Sequence, residues 1–174
     1  GKIGQLGTLE EVLARCGVDR RITPCIDFGH LNARTLGGIR SKADYAAILD
    51  RIGEALGDAR ARQFHVHFSR IEYSKGGEKR HWTFAETQFG PEPQPLMELL
   101  AERGLAPVII CESAGTQAED AKTMKRFFEA CLCTTSQSGL RPPAPLVGGA
   151  FGIKRKLHPA AKASPPRGGG IPKG

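Results

Sequence analysis

The chain has 174 residues, with 25 Lys and Arg against 18 Asp and Glu, a formal net charge of +7 at pH 7, and 40% hydrophobic residues. The charge is unevenly placed: residues 131–174 carry Arg141, Lys154, Arg155, Lys156, Lys162, Arg167 and Lys173 with no acidic residue, so the rest of the chain is neutral. This composition excludes a fully disordered or fibrous chain, and no apolar run reaches the roughly 18 to 20 residues of a membrane span.

Thr8 followed by Glu11 forms a capping-box signature, Leu9, Val12, Leu13 and Cys16 recur at helical spacing, and Gly17 offers a stop, which predicts a helix over 9–16. An apolar run at 22–28 reads as a strand. Ser41 with Asp44 opens a second helix striped by Tyr45, Ile48, Leu49, Ile52 and Leu56, with Gly57 at its end. A second strand is expected at 63–71. The third helix starts near Pro95 and stops at Gly104, a third strand spans 107–113, and Thr116 with Glu119 opens a fourth helix containing Met124, Phe127 and Phe128. Ile26, Val66 and Ile110 lie about 40 residues apart, a spacing that suits parallel strands joined by helical crossovers. The strands lack clean alternation, which predicts that both sheet faces are covered.

Beyond residue 130 the composition changes. Residues 131–174 hold 8 of the 22 Gly and 7 of the 12 Pro, too little apolar surface to offset the entropy of ordering, so this tail is expected to be disordered. The five cysteines have no framework spacing and no disulfide is expected. With no secretory leader pattern either, the expected location is cytoplasmic, away from membranes.

Polar residues collect toward the C-terminal ends of the strands, where parallel α/β folds place their chemistry. Asp27 and His30 stand three apart in CIDFGH, with Gly29 in the bend; His65 and His67 leave one face of a strand roughly 6 to 7 Å apart; Glu112 follows the apolar run of IICES. Carboxylate oxygens and imidazole nitrogens suit zinc, with manganese or iron as alternatives. Each residue also has a structural reading: a helix-capping Asp with a hydrogen-bonded loop His, a packed or loop-orienting His, a Glu in an ion pair, a solvated His81. Their convergence on one end of the strands favours ligands. Arg70, Lys75, Lys79 and Arg80 cluster nearby, as a phosphate-bearing substrate requires, and Trp82 could stack on a base or sugar.

In this order, IGQLGTLEEVL, CIDFGH, HVHFS, the stretch around His81, and IICES resemble the endonuclease IV family of apurinic/apyrimidinic enzymes, within the xylose-isomerase-like TIM barrels. The likeness spans roughly residues 3–130. It implies an α/β fold, a (β/α)8 TIM barrel present as a C-terminal fragment of about three parallel strands and four helices, whose remaining strands, with a ligand Glu, would precede Gly1. The lack of an initiator Met fits that expectation. By the resemblance, Asp27, His30, His67, His81 and Glu112 are metal ligands, and His67 and Glu112 also take the catalytic role. His65 is an additional His. Where the family has an Asp two residues before the ligand His, this chain has Lys79, and Glu78 would substitute if the loop shifts. Arg70, Lys79 and Arg80 are the expected substrate-binding residues.

The resemblance further implies up to three Zn2+, with Mn2+ or Fe2+ possible, and cleavage of double-stranded DNA at abasic sites by a protein monomeric when complete; the fragment alone would bind metal weakly and be inactive or nearly so. A sugar isomerase or epimerase of the same superfamily is the alternative. A noncatalytic nucleic-acid binder acting through the basic tail is a second.

Overall fold

The computed structural model describes residues 7–137. The tail expected to be disordered lies outside the described residues from position 138 on. Residues 131–137 do not belong to it, because the last helix, α6 (Gln117–Gln137), runs through them; no Gly or Pro occurs within it to end it sooner.

Helix α1 (Leu9–Val18) starts at the expected capping box, with both halves of the Thr8–Glu11 exchange formed. It runs past Gly17, since one glycine weakens a helix without obliging it to end. Strand β1 (Cys25–Asp27) leads into α2 (Phe28–Arg34), a helix where the sequence suggests a turn. Its cap is Asp27, whose side chain accepts the His30 backbone N–H. Helix α3 (Lys42–Leu56) carries the Ser41–Asp44 capping box and ends at Gly57, whose φ of 80° is open to glycine at little cost. The single-turn α4 (Asp58–Ala61) follows. The run at 63–71 is two strands: β2 (His65–Phe68) stops at Ser69, and β3 (Arg70–Ser74) pairs antiparallel with β4 (Gly77–Trp82). Helix α5 (Pro93–Glu102) precedes β5 (Val108–Cys111) and then α6.

The parallel pairing expected from the spacing is present, in the order β1-β2-β5. The barrel is not. The described residues make an open three-stranded parallel sheet with edges at β1 and β5 and a separate two-stranded antiparallel hairpin. Three parallel strands cannot close on themselves, and the chain after β2 makes the β3–β4 hairpin before it reaches the crossover helix α5. The architecture is mixed α/β.

Both faces were expected to be covered; among the described residues only one is. Ile26, Val66 and Phe68 are buried against the helices with Phe28, Tyr45 and Leu100. Opposite them, Cys25, His65, Val108 and Ile110 are exposed among the described residues. Gly29 brings α2 against the β2–β3 junction: a Cβ there would sit 2.7 Å from the Ser69 carbonyl oxygen, closer than real contacts allow. Its role is this close approach within a helix rather than a bend.

Candidate metal centre

Alternation along the parallel strands puts Asp27 and His67 on the exposed face, paired across β1 and β2. Glu112 follows β5 on the same parity, and its backbone N–H donates to the Phe68 carbonyl at 2.9 Å, extending the pairing by one residue. Asp27, His67 and Glu112 therefore converge: one donor atom from each lies within 4.8 Å of the others, and His67 Nδ1 is 2.9 Å from Glu112 Oε1.

A second group forms beside it from His30, Glu78 and His81, again with donors mutually within 4.8 Å. His30 Nε2 is 2.8 Å from Glu78 Oε2, and His81 Nε2 is 3.5 Å from Glu78 Oε1. Behind the second group, His30 Nδ1 meets Asp27 Oδ2 at 2.5 Å, and His81 Nδ1 meets the hydroxyl of the buried Ser69 at 2.8 Å. A tetrahedral ion with bonds of about 2.0 to 2.2 Å spaces its donors by roughly 3.3 to 3.6 Å. Three of the six donor pairs, at 2.8 to 3.5 Å, are close to that and the others lie within 4.8 Å, so a local rearrangement of side chains would seat an ion in either group. Imidazole nitrogens with carboxylate oxygens are a chemically suitable set for zinc.

Glu78 owes its place to a β-bulge. The hairpin pairs Glu72 with Arg80 but Tyr73 with Glu78, leaving Lys79 as the extra residue on β4. In an unbroken strand, Lys79 would share the face of His81 and Glu78 would point away. The bulge reverses that parity. Lys79 is exposed and instead reaches Glu72 at 3.3 Å.

The remaining expected site residues separate. His65 is exposed on the open sheet face and joins neither group. Arg80 is exposed, pairs with Glu72 and Glu86 at 3.4 Å each, and lies over the Trp82 ring at 4.7 Å. Arg70 is buried: its guanidinium donates to the Phe89 carbonyl at 2.9 Å and to Glu92 at 2.6 Å, which ties β3 to the start of α5. This is a structural position, away from solvent.

Electrostatics bind the two groups together. Burial pushes the Asp27 carboxyl up, but hydrogen bonds from the His30 ring and backbone N–H outweigh it and hold the group below its ordinary value. The hydrogen bond to Asp27 raises His30 to about 9 against the opposing effect of burial, with Glu78 adding to the rise. Asp27 is thus a helix cap and a candidate ligand at once, so the structural and the functional readings of this residue hold together.

An uncharacterized protein of Methanocaldococcus jannaschii is 34% identical over 129 residues, which is 74% of this chain and 46% of that relative. The chain therefore spans less than half the relative's length. No family model and no solved structure matches the chain. No helix among the described residues is long and apolar enough to cross a membrane, and no disulfide is present among them.

Proposed function

We propose that this chain carries the metal-binding half of a phosphodiester hydrolase that cleaves double-stranded DNA at abasic sites, as its resemblance to endonuclease IV implies, acting in the cytoplasm and as a monomer when complete. The observation that carries the reading is the pair of adjacent N/O donor groups, Asp27–His67–Glu112 and His30–Glu78–His81. When bound, divalent ions (Zn2+, or Mn2+ or Fe2+) supply Lewis acidity that activates water and offsets the negative charge gathering on phosphate. The protein's residues do the rest. His67 and Glu112 Oε1 hold one side of the centre, while Glu112 Oε2, 4.0 Å from His81 Nδ1, is left to accept a proton from water. The same hairpin carries the exposed cations Lys79 and Arg80 and the half-buried Trp82, residue types that suit a phosphate backbone and an unstacked base or sugar.

The isomerase alternative draws on the departure at Lys79, and Glu78 stands in the donor group instead. A half-exposed centre also suits a polyanion better than a small sugar, which needs an enclosed pocket. The test is incision of a duplex with one abasic site by the zinc-loaded chain and by a version extended upstream. Metal-dependent incision by the extended protein, lost in Glu112→Gln, is expected. Turnover of a ketose or aldose without incision would contradict the proposal.

A further inference from the structure

Asp27 uses its two oxygens differently. Oδ1 accepts the His30 backbone N–H at 2.8 Å, and Oδ2 faces His30 Nδ1. The other ring nitrogen, Nε2, points at Glu78. A carboxylate behind an imidazole fixes its tautomer and ring angle and makes the far nitrogen a better donor. The same carboxylate is a member of the first donor group. Glu112 does not duplicate this service, since its 4.0 Å separation from His81 Nδ1 is beyond a hydrogen bond; the Ser69 hydroxyl holds that ring instead.

We infer that Asp27 is the shared element of two linked metal sites, a donor in the Asp27–His67–Glu112 group and a positioning residue for His30 in the His30–Glu78–His81 group. This rests on the metal reading above and adds an asymmetry to it. Loss of Asp27 weakens both sites, loss of Glu112 weakens the first alone, and loss of Glu78 weakens the second alone. The hydrogen-bonded link between the two groups runs through Asp27 and His30.

Calorimetric titration with zinc chloride separates the possibilities. Glu112→Gln and Asp27→Asn both disable the first group, and only the second variant removes the support behind His30. Asn is as good a helix cap as Asp, so α2 should persist, which circular dichroism checks. The parent is expected to bind two ions, Glu78→Gln one, and Glu112→Gln one at the affinity of the parent's second site. In Asp27→Asn the second site should weaken by roughly 10- to 100-fold. Equal second-site affinity in Asp27→Asn and Glu112→Gln would overturn the linkage and leave the metal reading standing. A parent that binds no zinc would overturn the metal reading and the linkage with it. Should Asp27→Asn fail to fold, nitrogen NMR of the zinc-loaded parent serves in its place. A protected His30 Nδ1 proton supports the linkage, and a zinc-bound or freely exchanging Nδ1 overturns it.

Discussion

On the helix-covered face of the parallel sheet, Ile26, Val66 and Phe68 are 2% exposed or less, whereas on the opposite face Val108 and Ile110 keep 56% and 49% of their surface in solvent. The strands are the same and only the parity differs. Burial on one side fixes the register, and that register then sets Asp27, His67 and Glu112 in a row on the other, where carboxylate and imidazole stay within reach of water and ions. Packing and chemistry are therefore divided between faces, and substitutions should respect the division.

The largest effect is expected at Phe68. Truncation to Ala should destabilise the chain by about 3 to 5 kcal/mol, while Ile110→Ser, one parity step away on β5, should shift stability by no more than about 0.5 kcal/mol. Denaturant unfolding of the two variants checks this, and similar losses at both positions would break the distinction between the faces. Gly29→Ala comes next, at about 1 to 3 kcal/mol, because the added methyl meets the Ser69 carbonyl. Its zinc affinity should fall as well, since α2 carries His30; an unchanged affinity would show that α2 and the centre are independent.

On the hairpin the effect moves from stability to binding. Lys79→Ala and Arg80→Ala should leave zinc titration unchanged while lowering the slope of log affinity for abasic duplex against log salt by about 0.9 for each phosphate no longer neutralised. Loss of zinc binding in Lys79→Ala would mean that the bulge does not place Glu78 as described.

The smallest effect is the pH dependence of the metal-free chain. His30 is raised from 6.5 to about 9, so its ionic hydrogen bond to Asp27 contributes stability that is fully present below about pH 6.5 and lost as pH rises through about 9. Asp27 is depressed, so its share is present above its ordinary value and lost as pH falls through the lowered one. Both side chains are partly exposed, and solvent screening keeps the effect modest. The unfolding midpoint should drop between about pH 6.5 and pH 9.5, less so in Asp27→Asn. An equal drop in both would assign the dependence to other groups.

Helix starts were legible because Thr8–Glu11 and Ser41–Asp44 encode their own capping in four residues. Parallel strands were legible from their spacing. The closed barrel was inferred from likeness to a family, and nothing local in three strands determines whether a sheet closes. Helix α2 was hidden because seven residues leave little periodicity to read, and its cap is the residue that also suggested a ligand. The hairpin was hidden inside one apolar run: the break at Ser69 is a change of direction that composition does not register. Among the site residues, Asp27, His67 and Glu112 fall in one group, and His30 and His81 fall in a second with Glu78. Glu78 needed the bulge, a parity change set by pairing across the hairpin and absent from the spacing of Glu78, Lys79 and His81 themselves. Arg70 shows the opposite limit, because an arginine beside basic neighbours reads as a surface cation until its partners, Phe89 and Glu92, are seen.

Zinc anomalous diffraction from crystals of the zinc-loaded chain tests the central claim most directly. Two peaks are expected, one enclosed by Asp27, His67 and Glu112 and the other by His30, Glu78 and His81, with His65 and Lys79 bound to neither. Ordered crystals with no peak at these two positions, or with zinc held by other side chains, would contradict it.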